Sequence, residues 1–426
     1  MKNKNKKVII GIDGVPFRIL DELSNQGIMP NFKDLKSDGV FKKMESSLPE
    51  ISSVSWSSII TGKNPGEHGI FGFTDFIPGT YTMSFPNFKN LKEKPFWERE
   101  IDKKHVIINV PSTYPPNEIN GFIVSGFVSL DMHKSVQPQV YLEMLSEIEY
   151  KIDVDSKKAH KSISMFLNNL FKVHEKRLEL YRKLWDKIDW DNFMLVFTGS
   201  DRLEHFLINA YENTEHEFHQ QFLEYFKKID DAIGEINYKM NENDSLFMLS
   251  DHGMEEVKYN VNLNTFLEKE GFLLLDNKPN KRYNNIMKGS EAFVLDPSRI
   301  YFNKIDRFPN GGVKKSDEEE LTYKLISSLK SFKIDNTNVI QKIYKKDEIY
   351  HGKYLKKAPD LVLLPNSGFS LNGRIGKENI YEKPDKIVGM HTQPDAFLYV
   401  KKNENKKIIP KIPNVEDFIS IVEKAL

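Results

Sequence analysis

An α/β fold, with a mainly parallel central sheet flanked by helices and carrying inserted cap regions, is what this sequence predicts. Short β-branched runs at 8–13 (VIIGID), 105–110 (HVIINV), 193–201 (FMLVFTGSD) and 245–253 (SLFMLSDHG) are continuously apolar and end in a small or acidic residue. That is the pattern of strands buried on both faces. Helical periodicity fills the intervals, notably Phe17 to Gln26, Ser162 to Trp185 and Phe218 to Met240, as crossovers between parallel strands require. A length of 426 residues admits two or three folding units, or one large core with insertions.

Taken in order, the basic start MKNKNKK precedes an apolar run, Val8 to Ile12, too short for a signal-peptide core or a membrane span. It reads as the first strand, and Pro16 suits the first turn of the helix after it. No later run approaches the roughly 18 apolar residues of a membrane helix, so a soluble, cytoplasmic chain is expected. Residues 1–111 form the first part of the core. From 112 to 165 the text turns Pro-rich and then polar and helical, an expected cap insertion. The core resumes over 166–260, and a Lys/Asn-rich stretch with irregular strands, 261–385, reads as a second cap. Residues 386–426 return to the core, with a buried strand from Ala396 to Val400 and a closing helix from Val415 to Leu426 begun near Asn414.

Composition removes several classes of answer. With 61 basic against 61 acidic residues there is no bulk attraction to nucleic acid. With no cysteine, disulfide scaffolds, iron–sulfur clusters, thiolate zinc sites and thiol nucleophiles are excluded. Any metal must sit on His, Asp or Glu. Aromatic residues make up 12% of the chain and are read mostly as core.

Ligands of open α/β sheets collect beyond the carboxyl ends of the strands. Asp13, Asp201, Asp251 and His252 stand at such ends, His205 follows Asp201 by four residues, and His391 lies in a turn before the last strand. Singly, each Asp is most simply a turn or helix cap and each His a structural residue. Together, three Asp and three His offer the donor set that two divalent ions need in a protein without thiols. If the segment after Asp201 is helical, Asp201 and His205 face one way and can share an ion. A hydroxyl-rich segment, Ser52-Ser53-Val54-Ser55-Trp56-Ser57-Ser58, ahead of a helix could present an Oγ to a phosphoryl group, although on composition alone it is an ordinary Ser-rich loop.

The string S-x-x-x-W-S-S-I-I-T-G-K-N-P-G-E-H-G-I-F from Ser52 to Phe71, with IIGIDG before it and TGSDRLEHF, LSDHGM and GMH after it, resembles the alkaline phosphatase superfamily. More closely it resembles the type I phosphodiesterase and nucleotide pyrophosphatase branch and its microbial phosphohydrolase and phosphomutase relatives. The stretch Asn109 to Pro116, with Asn120-Gly121-Phe122 and Ser125-Gly126-Phe127, is similar to those relatives in particular.

The resemblance implies an alkaline phosphatase-like fold and two divalent ions, zinc foremost and manganese second. One ion falls to Asp201, His205 and His391, the other to Asp13, Asp251 and His252. Ser52, where the family commonly has Thr, is the implied nucleophile, close to both ions, with Ser53 its rival by one register step. The branch also has an Asn just past its His-Gly-Ile motif, whereas this chain reads Phe71-Gly72-Phe73-Thr74-Asp75.

The implied activity is a metal-dependent phosphohydrolase working through a phospho-seryl intermediate, foremost a phosphodiesterase. Its substrate would be a small phosphate ester that is nucleotide-, lipid- or sugar-linked. The alternatives are a phosphomonoesterase or phosphomutase on the same site, then a sulfatase, for which the Cys or Ser-x-Pro-x-Arg context is lacking, and a non-catalytic binding protein. Asp13, Asp201, Asp251 and a Ser52 alkoxide would balance two divalent ions, which suits a singly charged diester. Lys63 or Arg202 would be the extra cation for a monoester. His68 reads as a turn residue and Tyr114-Pro115-Pro116 as a rigid connector.

Overall fold

The computed structural model describes residues 5–276, Lys278 and residues 282–425. The basic residues 1–4 and Leu426, the expected end of the closing helix, lie outside the described residues. The chain divides into two compact units: residues 1–63, 87–255 and 386–426 form one, and 64–86 with 256–385 the other.

The first unit is an α/β layer structure. Its strands are β1 (Lys7–Ile12), β2 (Gly39–Met44), β3 (His105–Ile108), β4 (Gly121–Val124), β5 (Val136–Gln137), β6 (Asn192–Phe197), β7 (Ser245–Leu249), β8 (Gly253–Glu256), β9 (Gly389–Thr392) and β10 (Ala396–Lys401). Eight of them form one sheet in the order β2-β10-β7-β1-β6-β3-β4-β5, while β8 and β9 pair separately. The central neighbours β7, β1, β6, β3 and β4 run parallel. The flanking strands β10, β2 and β5 are antiparallel to their neighbours.

The continuous apolarity of these strands has the cause the sequence suggests. Val8, Ile10 and Ile12 of β1, with Phe193, Leu195 and Phe197 of β6, enter one core, and Ile9, Met194 and Val196 enter another. Alternate side chains point to opposite faces of a strand, and here both faces are covered. The helices α1 (Phe17–Asn25), α2 (Pro30–Ser37), α4 (Ile163–Lys187), α5 (Gly199–Glu212) and α6 (His219–Lys239) supply Leu20, Phe32, Leu170, Leu203 and Ile229 to the first core. On the other face α3 (Ser52–Thr61) and α7 (Phe418–Lys424) contribute Trp56, Ile59, Phe418 and Ile421. A single turn, Val415–Asp417, precedes α7, with the Asn414 side chain accepting from the Glu416 N–H.

Within residues 112–165, β4 and β5 pair into the central sheet. Phe122, Ile123 and Val124 are buried there, too short a run to stand out after a Pro-rich stretch.

The second unit is built on a four-stranded antiparallel sheet of residues Ala292–Leu295, Arg299–Phe302, Leu361–Pro365 and Ile340–Lys345 in that spatial order. Helix Glu318–Ser331 brings Leu321, Leu325 and Leu329 to the same core as Phe293 and Tyr301.

Candidate active site

Parallel pairing brings the acidic strand ends together. Ile12 of β1 lies opposite Phe197 of β6, and Gly11 opposite Leu249 of β7. Asp13, Asp201 and Asp251 therefore emerge from three adjacent strands at one edge of the sheet, the position where such folds hold ligands. The turn after β1 needs Gly14: its φ is +78°, and a Cβ there would lie 3.1 Å from the Asp201 Cα. The Gly14 N–H donates to Asp251 Oδ1 at 3.1 Å, tying two of the three ends together.

Helix α5 begins at Gly199, so Asp201 sits in its first turn and His205 one turn later, with Nε2 3.3 Å from Asp201 Oδ1. His391 comes from β9, which lies against α5 because residue 389 is Gly; a Cβ there would be 2.5 Å from the Glu204 carbonyl. His391 Nε2 is then 3.0 Å from His205 Nε2 and 3.3 Å from Asp201 Oδ1. The turn after β7 sends both Asp251 and His252 inward, with His252 Nε2 3.2 Å from Asp251 Oδ2 and 3.9 Å from Asp13 Oδ1.

All three histidines are oriented alike. Nδ1 of His205 donates to the Gly389 carbonyl at 3.0 Å, that of His391 to the Glu50 carbonyl at 2.9 Å, and that of His252 to the Gly253 carbonyl at 3.1 Å. A carbonyl only accepts, so each Nδ1 carries a proton and each Nε2 is left facing inward, the arrangement typical of metal-binding imidazoles.

Ser52 is the first residue of α3, and its Oγ lies 3.1 Å from His252 Nε2. Ser53 Oγ is buried without a hydrogen-bond partner. The hydroxyl cluster lies within the helix rather than ahead of it. Ser57 and Thr61 hydroxyls donate back to the carbonyls of Ser53 and Ser57, at 2.6 Å each, which lets a Ser-rich helix be buried along its whole length.

Buried carboxylates without a countercharge respond as electrostatics requires. Burial, with Asp251 and Asp201 beside it, pushes Asp13 well above the usual carboxylate range. Burial and Asp201 push Asp251 up to about 7. Against the upward push of burial, His205, His391 and Arg202 hold Asp201 well below that range. Burial and the neighbouring His391 push His252 well below the usual imidazole range.

Three carboxylate oxygens, Asp13 Oδ1, Asp201 Oδ1 and Asp251 Oδ2, are buried with no hydrogen-bond partner. Such groups are costly unless a cation meets them, so the donor set fits divalent ions. Asp201, His205 and His391 each offer a donor atom within 4.8 Å of the others, and so do Asp13, Asp201 and His252.

The supporting groups were only partly marked in the sequence. Trp56 Nε1–H donates to Asp13 Oδ2 at 3.1 Å; its place four residues after Ser52, on the same helix face, is the one hint in the sequence. The carbonyls of Glu50 and Gly389 had none.

The two candidate cations part company. Lys63 lies past the far end of α3, about 15 Å from Ser52 at 1.5 Å rise per residue. Arg202 borders the site, but its guanidinium is engaged by Asp201 and Asp153. In the second unit, Phe71 to Asp75 is held by Arg299, which donates to the Thr74 carbonyl and hydroxyl at 2.9 and 3.1 Å. His68 is a buried turn residue whose Nδ1 accepts the Ile70 N–H at 3.2 Å, and burial pushes it down to about 3.

The profile of the type I phosphodiesterase / nucleotide pyrophosphatase family matches residues 7–393. No curated protein matches the chain. Among solved structures, phosphonoacetate hydrolase from Sinorhizobium meliloti 1021, in complex with phosphonoformate, aligns over 99% of this chain and 96% of its own with a TM-score of 0.66 and 14% identity. Murine ectonucleotide pyrophosphatase / phosphodiesterase 5 aligns over 98% and 94% with a TM-score of 0.56 and 14% identity. At that identity the likeness is one of fold. Among the described residues, no helix is long and apolar enough to cross a membrane.

Proposed function

As the chain belongs to the type I phosphodiesterase / nucleotide pyrophosphatase family, and so is a metal-dependent phosphoester hydrolase of the alkaline phosphatase superfamily, we propose that it cleaves small phosphodiesters through a phospho-seryl intermediate on Ser52. One divalent ion is assigned to Asp201, His205 and His391 and the other to Asp13, Asp251 and His252, with zinc the first candidate and manganese the second. The observation that carries this reading is the convergence of Ser52 Oγ, three inward imidazole Nε2 atoms and three orphaned carboxylate oxygens on one strand edge.

Bound divalent ions would supply Lewis-acid stabilisation of phosphoryl oxygens and lower the pKa of a neighbouring hydroxyl. The protein's own groups do the rest. Ser52 sits at the N-terminus of α3, where the helix dipole and outward N–H groups favour a phosphoryl group. Its Oγ forms the new ester bond to phosphorus as the alcohol leaves, and water then releases the phosphoryl group from Ser52. Trp56 holds Asp13, and the Gly389 and Glu50 carbonyls hold His205 and His391, so the donors are oriented before substrate arrives.

The charge balance favours a diester. Asp13, Asp201, Asp251 and a Ser52 alkoxide offset two divalent ions, and Arg202 is offset by Asp153 at 3.0 Å, which leaves it uncommitted to the second charge of a monoester. The nucleotide, lipid or sugar group on the diester is a matter of selectivity, which we assign to the parts of residues 112–165 that lie outside β4 and β5.

The test compares bis(p-nitrophenyl) phosphate with p-nitrophenyl phosphate and traps the intermediate by acid quench and intact-protein mass. Faster turnover of the monoester would favour the phosphomonoesterase or phosphomutase reading. Absence of a trapped phosphoryl group on Ser52 under burst conditions would remove the covalent step.

A further inference from the structure

Asp201 has one oxygen with a partner and one without. Oδ2 accepts from Arg202 Nη1 at 2.9 Å, whereas Oδ1 is the orphaned atom that faces His205, His391 and, at 4.0 Å, His252. Asp201 is also the residue common to both groups of candidate donors. Which of its oxygens points inward therefore bears directly on the ion assigned to Asp201, His205 and His391, and by proximity on the ion beside it.

Arg202 is itself held from two further sides. Its Nε and Nη2 donate to Asp153 Oδ2 at 3.2 and 3.0 Å, and its guanidinium lies 4.1 Å from the centroid of the Phe127 ring. Asp153 is fixed in turn, because its Oδ1 accepts the Val154 N–H at 2.9 Å. A planar guanidinium holds two carboxylates with donors fixed in a fork while its face lies on a ring, a geometry the compact ammonium of Lys does not reproduce. Asp153 and Phe127 lie 49 and more residues from Arg202 along the chain, so the arrangement is not a local helix contact.

We propose that Arg202, clamped by Asp153 and Phe127, is a positioning residue that locks Asp201 with Oδ1 turned toward the divalent cations. It touches neither substrate nor ion and acts through Asp201. The inference rests on the bimetal reading above.

Charge and position predict opposite outcomes, which makes the inference testable. Simple Coulomb attraction says that removing a positive charge beside a cation site tightens cation binding. Loss of positioning says that it weakens it, by about 10- to 100-fold as for other outer partners of metal ligands.

The experiment titrates Zn²⁺, and in parallel Mn²⁺, into the chelator-stripped full chain by calorimetry. It compares wild type, Arg202→Ala, Arg202→Lys and Asp153→Asn, with far-ultraviolet circular dichroism as the folding check. The expected order of affinity is wild type, then Arg202→Lys, then Arg202→Ala, with Asp153→Asn also weakened. A folded Arg202→Ala that binds both ions as tightly as wild type, or more tightly, overturns the inference. Should Arg202→Ala fail to fold, wild-type affinity in both Arg202→Lys and Asp153→Asn overturns it equally. Wild type that binds no divalent ion overturns the bimetal reading and this inference with it, whereas wild type with two ions and unaffected variants overturns the inference alone.

Discussion

Replacing His391 with Ala tests the assignment of ligands most sharply, because this residue joins the site from a strand 186 positions beyond His205. Its Nε2 is 3.3 Å from Asp201 Oδ1, its ring stacks on His252 with centroids 3.6 Å apart, and its Nδ1 is anchored on the Glu50 carbonyl. The substitution leaves Asp201 and His205 as the only protein donors of the first group, short of the three that a catalytic zinc site keeps. Metal content should fall from about two ions per chain to about one. Losing several kcal/mol of charge stabilisation at the phosphoryl group corresponds to a rate loss of about 10³-fold or more. Inductively coupled plasma analysis of the purified variant gives the stoichiometry, and initial rates on bis(p-nitrophenyl) phosphate give the second number. A His391→Ala protein that retains two ions and near-normal turnover would make His391 an ordinary strand residue, and the bimetal assignment would have to be rebuilt without it.

Three other outcomes are expected. Ser52→Ala should abolish turnover and leave metal content largely intact, while Ser53→Ala should stay active; the reverse pattern in a steady-state assay would move the nucleophile by one position. Exhaustive chelation should remove activity and Zn²⁺ or Mn²⁺ should restore it, so undiminished turnover in protein shown to be metal-free would refute the metal requirement. His174 is buried on α4, and burial pushes it down to about 4. Because the folded value is depressed, the unfolded chain binds more protons below about pH 6.5. The stabilisation is therefore complete above that pH and lost as pH falls toward 4. Between pH 7 and pH 5 the loss should be about 2 kcal/mol, and urea melts of wild type against His174→Phe should show it only where the histidine is present.

Much of the candidate site could be read from the chain because the informative signals are local. An apolar run that ends in Asp describes a buried strand with a polar carboxyl end, and an Asp four residues before a His on a helix places both on one side. Asp13, Asp201, His205, Asp251 and His252 are legible on those grounds. Other features depended on packing. A Ser-rich stretch looks like a loop because its hydroxyls compete with the backbone, yet here Ser57 and Thr61 spend their hydroxyls on carbonyls one turn back and the helix survives in the core. Arg202 was visible as a nearby cation, but its engagement with Asp153 was not.

The sequence by itself determined the α/β class, the buried character of the core strands and the acids and histidines at their ends as candidates, since each follows from composition and periodicity within a few residues. Only the tertiary structure decided that Ser52 rather than Ser53 lies beside His252, that Asp201 turns Oδ1 inward, and that residues 121–124 and 136–137 extend the sheet. It also joined His391 to the Glu50 carbonyl across 341 residues. Those facts depend on strand register and on which distant surfaces pack together, and no local pattern of residue types encodes either.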